Sequence, residues 1–116
     1  MDLPVVVITN SRTGYAAEMF TTMVKDSAGA KTVGTAAMGN GSLQKLFRLP
    51  DGCGVEITVA TLSPVTSSNY NGTGIAPDYE KVLDTAQEEF FYTLTVETDP
   101  QILRAFEVAQ NLSGNQ

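Results

Sequence analysis

Five residues without a polar side chain, Pro4-Val5-Val6-Val7-Ile8, stand one short turn away from a segment of helical spacing, and the joining stretch reads "TNSRTGYAAEM" (9–19). Branched side chains at Cβ favour extended backbone, and an unbroken run of them predicts a strand covered on both faces, as in a parallel sheet. The chain must therefore pass from strand to helix within residues 10–14, the opening of a β-α unit. A turn of that kind leaves the first helical N–H groups unpaired and at the positive end of the helix dipole, a place suited to holding an anion or presenting a nucleophile. The residue at its point is Tyr15.

The periodicity along the rest of the chain predicts a strand over 4–9 and a helix over 15–27, whose Ala16, Met19, Phe20, Met23 and Val24 share one face. Thr13 is the expected N-cap, Glu18 complements the dipole and Gly29 closes the helix. Residues 31–33 form a short returning strand, and "GTAAMGNGS" (34–42) follows as a glycine loop suited to unusual backbone angles. Strands over 43–49 and 55–62 flank the turn "PDGCG" and form a β-hairpin. In it Leu43, Phe47 and Leu49 share one face against Gln44, Leu46 and Arg48 on the other, while Val55, Ile57 and Val59 alternate with Glu56 and Thr58. A polar loop spans 63–78, a short helix is expected over 84–92, and a second amphipathic helix over 100–111 presents Ile102, Leu103, Phe106 and Ala109. Residues 113–116 read as a frayed end, and no internal repeat is visible.

Composition then removes whole classes of chemistry. The chain has no histidine, which excludes Ser-His-Asp and Cys-His arrangements and imidazole-ligated metals, so any hydrolysis needs a lysine or carboxylate base. One cysteine, Cys53, excludes an internal disulfide and a thiolate zinc cluster, and beside a hairpin turn it is expected to be a small packed side chain. No metal and no cofactor are expected. A net charge of −6 with seven scattered basic residues argues against a nucleic-acid surface or an anionic membrane. No apolar run reaches the roughly 20 residues of a membrane-spanning helix, and Met1-Asp2 leads straight towards a strand without a signal-like segment.

Three separated stretches, "TGYAAE" (13–18), "VGTAAMGNGSLQ" (33–44) and "GTGIAPD" (72–78), match one pattern in order and spacing. Together they resemble the second half of the catalytic core of the C-terminal processing (tail-specific) serine peptidases, where the corresponding stretches read roughly S-A-S-A-S-E, V-G-x-x-x-x-G-K-G-x-x-Q and G-x-G-I-x-P-D. The resemblance covers about residues 4–80. It implies an α/β fold with a partial ClpP/crotonase-like β-β-α core, here with a β-hairpin and a C-terminal helix, so that residues 1–98 form a partial peptidase core and 99–116 the C-terminal helix and tail. The family's peptide-binding PDZ domain and the first half of its core would precede Pro4. Its members are usually exported to a periplasm, a cell surface or an organelle lumen.

The family's chemistry needs a serine hydroxyl deprotonated by a desolvated lysine. Counting back from Glu18, the serine's place belongs to Tyr15; the lysine's place between two glycines belongs to Asn40, 25 positions on as in the family. A phenol with a pKa of about 10 needs a strong base, and an amide accepts no proton. Gln44 matches a glutamine that helps orient the family's lysine and Asp26 an acidic residue seen in some members, although a polar strand face and a solvated helix end account for them equally. The Ala16 N–H would give half an oxyanion hole. Tyr15 is expected either to stack on a ligand or plug the old pocket, or to lie against the next strand with its hydroxyl in water. The leading expectation is a non-catalytic module whose cleft, rimmed by Gly14, Tyr15, Ala16, Gly39, Asn40 and Gly41, takes a peptide or protein segment by strand addition. One alternative is an active serine endopeptidase built from Ser11, Thr13 or Ser42 with Lys25, Lys31 or Lys45. Another is a structural domain that forms a homo-oligomer through exposed edges and apolar faces.

Overall fold

In the computed structural model, which describes residues 3–114, the chain forms β1 (Val6–Thr9), α1 (Ala16–Ala28), β2 (Lys31–Gly34), β3 (Ser42–Arg48), β4 (Gly54–Thr61), β5 (Tyr79–Glu80), α2 (Thr85–Glu89), a 3₁₀ turn (Phe91–Thr93) and α3 (Pro100–Ser113). Strands β1, β2 and β5 make a parallel sheet in that order, with Val6 opposite Lys31 and Val33 opposite Tyr79. Strands β3 and β4 pair antiparallel as a separate hairpin whose register slips at Leu43/Gln44. The mixed α/β class expected from the sequence is the one observed. No helix among the described residues is long and apolar enough to cross a membrane.

The β-α-β opening follows from local chemistry. Gly29 closes α1 in the left-handed conformation at φ 63°, and its N–H reaches the Lys25 carbonyl while Ala30 N–H reaches that of Val24. At the other end the cap is Tyr15, with no side-chain hydrogen bond; the expected cap, Thr13, instead accepts the Asn10 N–H within the preceding turn. Strand β1 is a half-covered edge rather than a strand buried on both faces, because among the described residues only β2 pairs with it and Val5 and Ile8 remain exposed. Helix α3 lies against β1 and β2, and Gln101 Nε2 donates to the Lys81 carbonyl at 2.8 Å. Its buried residues are Gln101 and Val108, while Leu103 and Phe106 of the expected apolar face stay in solvent. Asp99 and Asp84 cap α3 and α2, the latter in a full capping box with Gln87.

Helix α1 is inverted relative to its sequence pattern. Glu18, Thr21 and Thr22 are buried, while Met19, Phe20 and Met23 lie on the outside, the last two 61 % exposed. The threonines tolerate burial because each satisfies its hydroxyl within the helix, Thr21 on the Ala17 carbonyl and Thr22 on those of Glu18 and Met19. Glu18 is satisfied by the glycine loop: its two carboxylate oxygens accept the N–H groups of Gly39 and Asn40, each at 2.7 Å. The far end of the same face is tied by Asp78, which accepts from Lys25 Nζ, Thr32 N–H and Thr32 Oγ1, each at 2.8 Å, and joins helix, β2 and the approach to β5. Among the described residues the buried apolar side chains are few: Ala30, Val33, Ala37, Tyr70, Ile75 and Val108. Every residue of β4 is exposed, and the hairpin turn leaves Cys53 in solvent rather than packed as the sequence suggested.

Two expected outcomes follow from these polar ties. Burial alone would raise the Asp78 carboxyl, but the Lys25 ammonium and the Thr32 hydroxyl and N–H hold it below its ordinary 3.8. A depressed folded-state pKa contributes stability above the unfolded value and loses it as pH falls through the folded one. Urea titrations at neutral and acidic pH should therefore show the wild type losing stability below about pH 4. Asp78→Asn should be weaker at neutral pH and lose less on acidification. At the other tie, Glu18→Ala leaves two half-buried N–H groups without their acceptor and should cost about 3 kcal/mol in urea denaturation. Glu18→Gln keeps one acceptor but turns an NH₂ towards the other donor, and should cost about 2 kcal/mol. Losses near zero for both variants would mean that the loop does not depend on this carboxylate.

Candidate functional site

The strand-to-helix turn is a strained one. Tyr15 has φ 49° and ψ −120°, the only positive φ outside glycine among the described residues, and Ala17 N–H closes the turn on the Gly14 carbonyl at 3.1 Å. These angles are those of the first central position of a type II′ turn, a place that glycine fills without strain and a tyrosine fills at a cost of about 1–3 kcal/mol. The geometry lifts the side chain off the helix start, and the Tyr15 ring is 58 % exposed. Ala16 N–H, the first of the helix, has no acceptor among the described backbone hydrogen bonds outside helices and strands. It is left free to donate beside the turn.

The glycine loop is pressed against that turn and against a second glycine turn. Met38 N–H donates to the Thr13 carbonyl at 2.8 Å, and a Cβ added at Gly14 would meet Met38 Sδ at 3.0 Å. Gly39 sits at φ 87° with the Gly74 nitrogen only 2.7 Å from where its Cβ would be, and its carbonyl accepts Gly72 N–H at 2.8 Å. The close approach and the positive φ together leave no place for a side chain at position 39. Below this layer Ala37, Tyr70 and Ile75 form the buried cluster with Leu62 at its edge. The Tyr70 hydroxyl has no hydrogen-bond partner among the described residues, and burial, followed by the nearby Glu18 charge, pushes its pKa up.

The six expected rim residues thus fall into two strips held edge to edge, Gly14–Ala16 on the turn and Gly39–Gly41 on the loop, joined by the Thr13–Met38 bond and by Glu18 beneath. Asn40 Oδ1 accepts from Ser42 Oγ at 3.5 Å, a long contact. Gln44 lies on the exposed hairpin opposite Thr58. Asp26 is not merely solvated: it accepts the N–H groups of Val65, Thr66 and Ser67 and the Ser67 hydroxyl, and this hydroxyl first, then the loop N–H groups, hold its pKa low. Of the substitute bases, Lys25 is paired with Asp78 and Lys45 lies over the Phe47 ring at 5.4 Å. The one lysine–hydroxyl contact among the described residues joins Lys25 to Thr32, which is wholly buried and out of reach of a substrate.

Sequence reasoning assigned Glu18 to the helix dipole and missed its grip on the loop. The available signal was an acid in the first turn preceding a Gly-x-Gly loop rich in free N–H groups. Tyr70 gave no signal beyond its place before the "NGTG" turn. A groove of about 540 Å³ runs beside α1 between Met19, Met23 and the loop 62–66, with Tyr70 at its floor.

Comparison with known proteins places this geometry. Residues 1–81 match the sequence profile of "Peptidase family S41". The chain is 39% identical over 77 residues to a carboxyl-terminal-processing protease of Picosynechococcus sp., a match covering 66% of this chain and 19% of that protein. It is 33% identical over 79 residues to carboxyl-terminal-processing peptidase 1, chloroplastic, of Arabidopsis thaliana, covering 68% of this chain and 16% of the relative. Among solved structures, a photosystem II D1 C-terminal processing protease superposes with a TM-score of 0.61 at 33% identity, over 68% of this chain and 20% of its own. A putative S41 protease from Bacteroides fragilis shares the fold over 97% of this chain and 28% of its own, with a TM-score of 0.68 at 22% identity. The chain spans about a fifth or less of the length of these curated relatives. With its turn, glycine loop and "GTGIAPD" segment assembled as one unit, the chain belongs to peptidase family S41.

Proposed function

We propose that this chain is a catalytically silent S41 domain that holds a peptide or protein segment without cutting it. The observation that carries the reading is the pair of side chains at the strip edges: a phenol on the strained turn at Tyr15 and an amide on the glycine loop at Asn40, where the family's chemistry calls for an alcohol and an amine. Losing both members of such a jointly acting pair removes on the order of a millionfold in turnover. What remains on the surface suits binding. The Ala16 N–H is unpaired at the helix start, β1 offers an open edge for strand addition, and the groove beside α1 offers apolar walls. A location outside the cytosol, in a periplasm, at a cell surface or in an organelle lumen, belongs to the same reading and is supported by relatives named chloroplastic.

A fluorogenic peptide assay with fluorescence-polarisation binding tests it. The wild type is expected to bind apolar-ended peptides and to hydrolyse none above background. Ser11→Ala, Thr13→Ala and Ser42→Ala should leave both readouts unchanged, because none of these hydroxyls is placed as a nucleophile. Hydrolysis by the wild type that any one of these alanines abolishes would overturn the reading and identify the nucleophile.

A further inference from the structure

We infer that residues 63–68 form a strap along the groove beside α1, latched shut by the Asp26 carboxylate, and that release of this latch opens the inner wall of the groove. The device is internal to the chain and needs no ligand to operate.

The strap is pinned at both ends and fastened once between them. Before it, Leu62 N–H donates to the Gly41 carbonyl at 2.7 Å; after it, the Tyr70 carbonyl accepts Thr73 and Gly74 N–H at 3.1 and 2.9 Å. Between these pins, among the described residues, 63–68 is hydrogen-bonded to the rest of the chain through one side chain alone. Asp26 Oδ2 accepts Val65 and Thr66 N–H at 2.9 and 3.0 Å, and its Oδ1 accepts Ser67 N–H at 3.0 Å and the Ser67 hydroxyl. Successive backbone N–H groups turned on one anion make a strong, charge-assisted grip. Apolar packing adds little hold at this point, since Val65 is 95 % exposed. All of these contacts lie within the chain itself, so they stand whatever covers its outer faces.

Asp26 follows Thr22 by one helical turn, so the latch draws the strap along the same side of α1. Strap and helix enclose the groove of about 540 Å³, and Thr22 and Tyr70, 5 % and 2 % exposed, form its inner wall. Closure carries a cost. The Tyr70 hydroxyl is buried without a partner among the described residues, and an unpaired buried hydroxyl is unfavourable until water reaches it. Lifting the strap admits that water. The Asp26 grip therefore works against a standing cost at the groove floor, and losing one carboxylate tips the strap open.

Hydrogen–deuterium exchange of the full chain, read at single amides by NMR, tests the latch, with far-UV circular dichroism on every variant. In the wild type the Val65, Thr66 and Ser67 amides are expected to be protected although they lie in a surface loop. Asp26→Asn loses the charge and turns an NH₂ towards the loop donors, and should speed exchange at these three amides about tenfold or more while α1 stays as slow as before. Ser67→Ala removes one of the four bonds and should speed it about threefold. Glu107→Gln, which removes an equal charge on α3, should change nothing. Tyr70→Phe takes away the unpaired hydroxyl and should slow exchange at the same amides. Wild-type amides at 65–67 that exchange freely overturn the inference, as does an Asp26→Asn variant that leaves them unchanged or unprotects α1 to the same degree. A Tyr70→Phe variant that fails to slow them detaches the groove floor from the strap and overturns its role as a gate. Should Asp26→Asn lose its spectrum, Ser67→Ala decides by the same criterion.

Discussion

The grip of the Glu18 carboxylate on the Gly39 and Asn40 N–H groups is the constraint on which the rest of the molecule depends. A wholly buried carboxylate is tolerated only when its charge is met by donors, and here two backbone dipoles meet it in place of a cation. Because Glu18 lies on the first turn of α1 and its donors on the loop after β2, one residue fixes the distance between the strained turn and the glycine loop. The Gly39–Gly72 bond and the close approach of Gly74 to Ala37 then hang the "GTGIAPD" segment on that loop. The three stretches that carry the family resemblance are thus one mechanical unit, which explains why they persist together in a chain whose apolar core is small.

The same polar interior turns α1 inside out. With Glu18, Thr21, Thr22 and Lys25 engaged on the inner face, the stripe of Tyr15, Met19, Phe20 and Met23 has nowhere to go but outward. The hairpin repeats the arrangement, with apolar residues on a sheet that covers nothing. The chain thus holds Glu18, Thr21 and Thr22 inside on satisfied hydrogen bonds and leaves large apolar side chains outside. The polar ties supply the shape.

The elements themselves were legible in the sequence. The β-branched run, the helical spacing of residues 15–27 and the "PDGCG" turn specify β1, α1 and the hairpin through local rules alone. What covers each face was not, because periodicity marks a side as apolar without saying what lies against it; Met23 and Ile57 obey the pattern and remain in solvent. Strand β5 is two residues long and exists through pairing with β2, and Asp78 reaches Thr32 across 46 positions, a contact with no local trace. Asp26 reads as a solvated helix end until the loop at 65–67 closes over it. At the site, the turn and the loop were readable as motifs, but their joint anchorage by Glu18 required the third dimension.

The strain at Tyr15 remains to be placed. Glycine would take φ 49° freely, and a tyrosine there is disfavoured by the same sterics that keep other side chains out of this region. The conformation persists because Ala17 N–H on Gly14, Met38 N–H on Thr13 and Glu18 on the loop over-determine the backbone on either side, so relaxing one residue would break several bonds. The strained turn is therefore a property of the scaffold and not of the side chain it carries. A scaffold that imposes the turn whatever residue occupies it displays here an exposed aromatic ring beside the Ala16 N–H, and it is this pair that the proposed function assigns to gripping a polypeptide.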